Sequence, residues 1–189
     1  MTEDRALVEA VLADAPGAFA RLVRTYQGLC WHIVQRMVRQ PEDTAELCQE
    51  VFLRVHRTLH QFRYESPLRA WIGRVAYHMA LRHLERKRID IVDLGEDDDG
   101  TAFVENVGDG FDLEGRLGQD QADALLHAAI ELLPPVQRTV LTLYHLDELS
   151  IAEIAQVTGM ATGTIKSHLF RARLRLRGEL ESRMGVTAP

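Results

Sequence analysis

Leu149-Ser150-Ile151-Ala152-Glu153-Ile154-Ala155-Gln156-Val157-Thr158-Gly159-Met160-Ala161-Thr162-Gly163-Thr164-Ile165-Lys166-Ser167-His168-Leu169 reads as helix, sharp turn, helix. Ser150 followed by Glu153 has the spacing of a capping box, so a helix is expected to start there. Ile151, Ile154, Ala155 and Val157 give it an inner face. Ala155 is small enough to let a second helix cross close by. Gly159 stands where the chain reverses, and glycine accepts positive φ without strain. Ile165, Leu169, Ala172 and Leu176 recur at helical spacing and form the apolar stripe of the second helix. Gly163, Thr164, Ser167 and Arg171 point away from that stripe, and Lys166 and Arg173 lie on its flank, placed for phosphates. An ordinary helical hairpin would share the periodicity, but cap, small residue, glycine and stripe all fall at the offsets of a helix-turn-helix. That shape sets one helix into a DNA major groove.

The chain upstream is also helical in pattern. A short helix is expected over Glu3 to Leu12, interrupted by Pro16-Gly17. A longer one follows, with Phe19, Leu22, Val23, Tyr26, Leu29, Ile33, Val34 and Met37 on one face. Pro41 suits a first helical turn, and Glu42 and Asp43 favour the N-terminal dipole. That third helix turns Val51, Phe52, Val55 and Leu59 inward. Ser66-Pro67 reads as cap and first-turn residue of a fourth helix running to about Arg88. Trp71, Ile72, Val75, Ala76, Met79 and Leu84 face its inside, and Arg69, Arg74, Arg82, Arg86, Lys87 and Arg88 stud it. From Asp93 to Asp120 the pattern fails. Glu96 to Asp99 is an unbroken acidic run amid scattered glycines, which reads as a flexible linker. Helical signal returns near Ala122, breaks at Pro134-Pro135, and resumes over Val136 to Leu146. The expected fold class is all-α: two small helical domains, 1–92 and 122–189, joined by a flexible acidic linker over 93–121, the C-terminal domain a helix-turn-helix.

Composition narrows the function. The 189 residues carry a formal net charge of −6. The balance is positive up to residue 88, strongly negative across the linker and near neutral beyond it. Affinity for DNA comes largely from phosphate neutralisation, so an acidic chain needs a partner to hold it on DNA. No membrane-length apolar run and no signal-peptide pattern occur, and Cys30 and Cys48 form no CxxC pair, so a reducing cytoplasm and no membrane insertion are expected. Both cysteines sit on apolar faces and read as small core residues; a metal cluster of Cys30, His32, Cys48 and His56 has no recognised ligand spacing. No HExxH, P-loop or dinucleotide-binding glycine pattern appears, so no enzyme and no cofactor is expected.

The two halves together resemble a bacterial RNA polymerase sigma factor of the extracytoplasmic function (ECF) subfamily, over most of the chain. Leu47-Cys48-Gln49-Glu50-Val51-Phe52-Leu53-Arg54-Val55 resembles the family's second conserved region, and Trp71 to Leu84 its promoter-melting segment. Leu133-Pro134-Pro135-Val136-Gln137-Arg138 opens the C-terminal module; Thr164-Ile165-Lys166-Ser167 and Arg171-Ala172-Arg173 close it. Three positions depart from the pattern. His78 stands where the family usually has Asn, Arg82 where Asp is common, and Asp43-Thr44-Ala45-Glu46 carries one acid fewer than usual.

The resemblance implies a mechanism. The N-terminal domain docks on the β′ clamp helices of core polymerase through Asp43, Glu46, Gln49, Glu50 and Arg54. It opens the minus-ten promoter element with Arg63, Tyr64, Glu65, Arg74, Tyr77, His78, Arg82, Arg86 and Lys87, the loop 63–65 receiving a base that has left the stack. The C-terminal domain sits on the β flap and reads the minus-thirty-five element through Thr162, Gly163, Thr164, Lys166, Ser167, Arg171 and Arg173. The acidic linker mimics nucleic acid in a basic channel. The implied function is promoter-specific transcription initiation in response to a stress or envelope signal, under an anti-sigma factor or other regulator. Phe170 and Leu174, apolar on the outward face of the recognition helix, suit a contact with a partner or with their own module. Thr44 is a candidate phosphorylation switch beside the thinned acidic cluster. Two rivals are a sigma-like mimic that titrates an inhibitor and a stand-alone helix-turn-helix regulator; the latter needs a ligand or receiver domain where residues 18–88 give an arginine-studded helical unit.

Overall fold

A computed structural model of the chain describes residues 3–87 and 119–184, so the acidic linker lies almost wholly outside the described residues. Among those residues the regular structure is helical: α1 (Glu3–Leu12), α2 (Ala18–Val38), α3 (Pro41–Thr58) with a 3-10 turn Leu59–Gln61, α4 (Leu68–Arg86), α5 (Gln119–Glu131), α6 (Pro135–His145), α7 (Ile151–Thr158) and α8 (Thr162–Arg183). Among the described residues, backbone contacts group α1 to α4 with Ala152–Met160 in one unit, and α5, α6 and α8 in the other.

In the first unit α2 is the hub, packing against α1, α3 and α4. Its inner face follows the expected periodicity: Leu22, Cys30, Ile33, Val34 and Met37 are all buried. From α3 come Leu47, Val51 and Val55; from α4 come Leu68, Ile72, Ala76, Ala80 and Leu84. Each buried Val, Leu, Ile or Met side chain here contributes about 1.5–3 kcal/mol, and the alanines less. Small residues on α4 permit a close approach to α2. A Cβ on Gly73 would stand 3.3 Å from Ile33 Cδ1, closer than ordinary packing allows. Helix α1 is tied down by buried Leu7, Val8 and Val11 and by Tyr26 Oη, which donates to Asp4 Oδ1 at 2.7 Å.

Polar side chains fix the corner between α2 and α3. Arg39 adopts φ 71° and its N–H donates to the Gln35 carbonyl, ending α2 with a left-handed cap. Gln35 Nε2 returns a bond to the Arg39 carbonyl at 2.9 Å. Pro41 then opens α3, as its missing N–H allows. Thr44 Oγ1 lies 2.7 Å from Gln35 Oε1 and 2.8 Å from the Gln40 carbonyl, and its side chain is fully buried. That corrects the reading of Thr44 as a phosphorylation switch: a kinase cannot reach its hydroxyl, which already serves the corner. Ser66 is not the cap of α4 either. Pro67 occupies the cap position with no side-chain cap bond, and its carbonyl accepts from Ala70 N.

In the second unit α8 packs against α5 and α6. The expected stripe of Ile165, Leu169, Ala172 and Leu176 is buried, with Leu180 extending it and His168 beside it. Helix α5 starts at Gln119, ahead of the expected Ala122. Arg138 on α6 is only 2% exposed and donates through Nη1 to the Glu131 and Leu133 carbonyls at 3.0 and 3.2 Å. Carbonyls left unpaired at a helix C-terminus carry partial negative charge, so a guanidinium is a fitting cap.

Candidate functional site

The turn between α7 and α8 has the predicted chemistry. Gly159 sits at φ 77° and its N–H donates to the Ala155 carbonyl at 2.8 Å, closing α7. Thr158 Oγ1 accepts from Met160 N, holding the next residue of the turn. Helix α8 then begins at Thr162. Thr162, Gly163, Thr164, Lys166 and Ser167 are all exposed in its first two turns, and Arg171 is half-buried farther along. The start of α8 is therefore polar and open, presenting hydroxyls and a lysine, groups of the kind that can meet base edges and phosphates.

Arg173 is placed differently from the expectation. Its Nη2 lies 3.1 Å from His145 Nε2, and its guanidinium covers the Tyr144 ring at 5.7 Å. It ties α8 to the end of α6 instead of standing clear for phosphate. Desolvation, then the Arg173 charge, holds His145 below the usual imidazole range, so a neutral ring accepts from the guanidinium. Of the two apolar residues on this helix, Leu174 is exposed at 55% while Phe170 is half-buried.

On the first unit, Arg74, His78, Arg82 and Arg86 recur every four residues of α4 and all are exposed, forming one ridge. Burial, followed by the charges of Arg74 and Arg82, lowers the pKa of His78, so this ridge carries a neutral donor and acceptor between arginines. Arg74 Nε donates to the Gln156 carbonyl at 2.8 Å. Tyr77, expected among the minus-ten contacts, is instead 2% exposed; it faces the core, and burial pushes its hydroxyl up to about 12. The helical phase decides this, because Tyr77 follows Ile72, Gly73 and Ala76 on the buried face of α4.

The loop between the 3-10 turn and α4 presents Arg63, Tyr64 and Glu65 to solvent. Tyr64 adopts φ 60°, a left-handed conformation that costs a non-glycine residue roughly 1–2 kcal/mol. Its ring is held against Phe62 at 4.9 Å, and Phe62 in turn packs on Trp71 at 5.5 Å. Trp71 is half-buried as part of this stack.

On α3, Glu46, Gln49, Glu50 and Arg54 are exposed along one side. Asp43 is drawn away: Lys87 Nζ lies 2.5 Å from its Oδ2, and His83 Nε2 3.5 Å from the same oxygen. Shallow depressions between α3 and α4 bring Glu46 and Glu50 beside Arg82, Arg86 and Lys87. The acids expected to dock and the bases expected to hold phosphate, separate in the sequence, thus adjoin in space. The periodicity also missed an apolar groove between α2 and α3, lined by Phe19, Val23, Cys48 and Phe52, with Trp31 and Leu53 exposed at its edges. Its signal was present as Trp31 and Leu53, which fall off the buried stripes of their helices.

Burial pushes the Cys30 and Cys48 thiols up to about 12 and about 11, which makes both inert packing groups. Among the described residues no three His, Cys, Asp or Glu side chains gather as a metal-binding set, and no helix is long and apolar enough to cross a membrane.

Comparison with known proteins follows the same division of the chain. The Sigma-70 region 2 family matches residues 22–89, and the Sigma-70 region 4 family matches residues 123–176. The chain is 32% identical over 174 residues to the RNA polymerase sigma-H factor of Pseudomonas aeruginosa, covering 90% of each. It is 31% identical over 177 residues to the ECF RNA polymerase sigma-E factor of Escherichia coli, again covering 90% of each. Among solved structures, CnrH in complex with the cytosolic domain of CnrY shares the fold at TM-score 0.62 and 21% identity, with 96% of this chain and 99% of that one covered. RpoE of Bartonella quintana, in complex with the anti-sigma factor NepR, shares it at TM-score 0.60 and 22% identity, covering 87% and 98%. Both region matches and the identity to these relatives agree, and the chain belongs to the ECF subfamily of RNA polymerase sigma factors, non-catalytic proteins that direct transcription initiation by the polymerase.

Proposed function

We propose that residues 1–92 dock on core polymerase and open the minus-ten element, that residues 122–189 read the minus-thirty-five element, and that residues 93–121 link the two. The exposed polar start of α8 carries this reading most directly: Thr162, Gly163, Thr164, Lys166 and Ser167 face solvent while the stripe behind them is buried. Arg171 extends the contact, and Arg173 supports the helix from behind. In the first unit Glu46, Gln49, Glu50 and Arg54 meet the β′ clamp helices, with the apolar groove edged by Trp31 and Leu53 adding buried area. The ridge Arg74, His78, Arg82 and Arg86 holds strand phosphates, and the loop Arg63-Tyr64-Glu65 receives the displaced base.

The protein works with the polymerase in the cytoplasm, in answer to a stress or envelope signal. The Bartonella quintana relative is seen bound to an anti-sigma factor. Control by a separate inhibitor of that kind follows, with exposed Leu174 as one contact. The decisive experiment is in-vitro transcription with purified core polymerase and sequencing of the transcripts. Initiation at a defined set of promoters, absent with core alone, is expected. Failure to join core polymerase, together with tight selective duplex binding by the chain alone, would overturn the reading.

A further inference from the structure

Helix α1 precedes the residues matched by the Sigma-70 region 2 family, which begin at residue 22. Yet its Arg5 guanidinium lies over the Tyr64 ring, 5.2 Å from the centroid. We propose that Arg5 is a positioning residue for base capture, holding the Tyr64 ring in its receiving orientation and adding positive charge where the displaced strand passes. The inference rests on the proposed role of the loop 63–65 in receiving a minus-ten base.

Three observations support it. Tyr64 is an exposed aromatic in a left-handed backbone conformation, an arrangement that persists only where its surroundings impose it. Those surroundings include Phe62 and Arg5, and of the two it is Arg5 that comes from another helix. Helix α1 is itself fixed rigidly enough to serve. Leu7, Val8 and Val11 are buried, Asp4 accepts the Tyr26 hydroxyl, and α1 touches the 3-10 turn that leads into the loop. Arg5 Nε also meets Glu9 Oε1 at 3.0 Å, which orients the guanidinium along α1. Tyr64 braced by the cation is still 42% exposed and so keeps surface for a base, and the cation remains near the sugar-phosphate backbone of the captured nucleotide.

The test is transcription by core polymerase and the full-length chain from a promoter pool randomised over the minus-ten positions. The minus-thirty-five element is fixed to the one the unaltered protein prefers. Arg5→Met is expected to flatten base preference by about two- to fivefold, the size of an exposed cation–π contact. The loss should fall at the same single position that Tyr64→Ala flattens, with preference elsewhere and assembly with core unchanged. Arg5→Lys should restore the preference, and Glu9→Gln, which removes only the ion pair within α1, should leave most of it. The proposal is overturned if Arg5→Met keeps the preference, or if it weakens every position and core assembly together. Should Tyr64→Ala itself leave minus-ten selection intact, the loop reading falls; should Tyr64→Ala flatten it while Arg5→Met does not, only the role of Arg5 falls.

Discussion

Lys87 closes on Asp43, joining the end of α4 to the first turn of α3. Each of these residues had been expected to face a different macromolecule, the lysine a DNA strand and the aspartate the polymerase. The bond from Lys87, more than its charge or that of His83, holds the Asp43 carboxyl below the usual carboxylate range, against a smaller opposing effect of desolvation. A depressed carboxylate stabilises the fold above its unfolded pKa and loses that contribution as pH falls through the folded one. Asp43→Asn should therefore lower Tm at neutral pH, and the gap to the unaltered protein should close in acid. Thermal unfolding followed between pH 3 and 7, roughly the carboxylate range and above, measures this; a gap independent of pH would show that the pair contributes nothing.

Arg138 offers a larger effect. Its guanidinium is buried and caps the end of α5, so Arg138→Met leaves those carbonyls without their cation. The expected loss is about 3 kcal/mol, near the lower end of what breaking a buried charged contact costs. Chemical denaturation should show a lower midpoint at unchanged slope.

His145 makes the tie between α6 and α8 sensitive to acid. Its pKa is lowered in the folded protein, so the unfolded chain binds the proton first as pH falls. Stability is full above the ordinary imidazole pKa of about 6.5 and declines below it as protonation sets His145 against Arg173. His78 and His168 are lowered in the same sense and add to the decline. His145→Gln keeps an acceptor for Arg173 without the titration and should make the acid-induced loss of stability shallower.

Lys166 and Ser167 should separate affinity from selectivity. Lys166→Ala is expected to weaken promoter binding evenly across sequences and to reduce the salt slope by about 1, as for a phosphate contact. Ser167→Ala should instead alter preference at one minus-thirty-five position. Holoenzyme binding to duplex promoters at several salt concentrations reads both.

Much of this was legible in the sequence. The bounds of α1, the glycine turn at Gly159 and the stripe of α8 follow from periodicity and backbone chemistry, which act over a few residues. The misreadings have a common cause. An arginine on a helix ordinarily reads as surface, so burial of Arg138 under α5 was invisible. Tyr77 lies in a motif associated with DNA, yet its position relative to Ala76 and Ala80 turns it inward. Lys87 with Asp43, Arg173 with His145 and Arg5 with Tyr64 are partners far apart along the chain, and only packing brings them together. Which exposed residues of the site remain available to DNA or polymerase is decided by such pairings, so residue type and spacing alone could not settle the list.

The knot of Gln35, Arg39, Gln40 and Thr44 bears on the proposed docking of α3 on the polymerase. Because side-chain amide and hydroxyl lock the bend, the helix that follows leaves it at a set angle before any encounter. In the proposed docking, little conformational freedom is then surrendered as Glu46, Glu50 and Arg54 engage, and the attraction between the two proteins is not spent on straightening a loose joint.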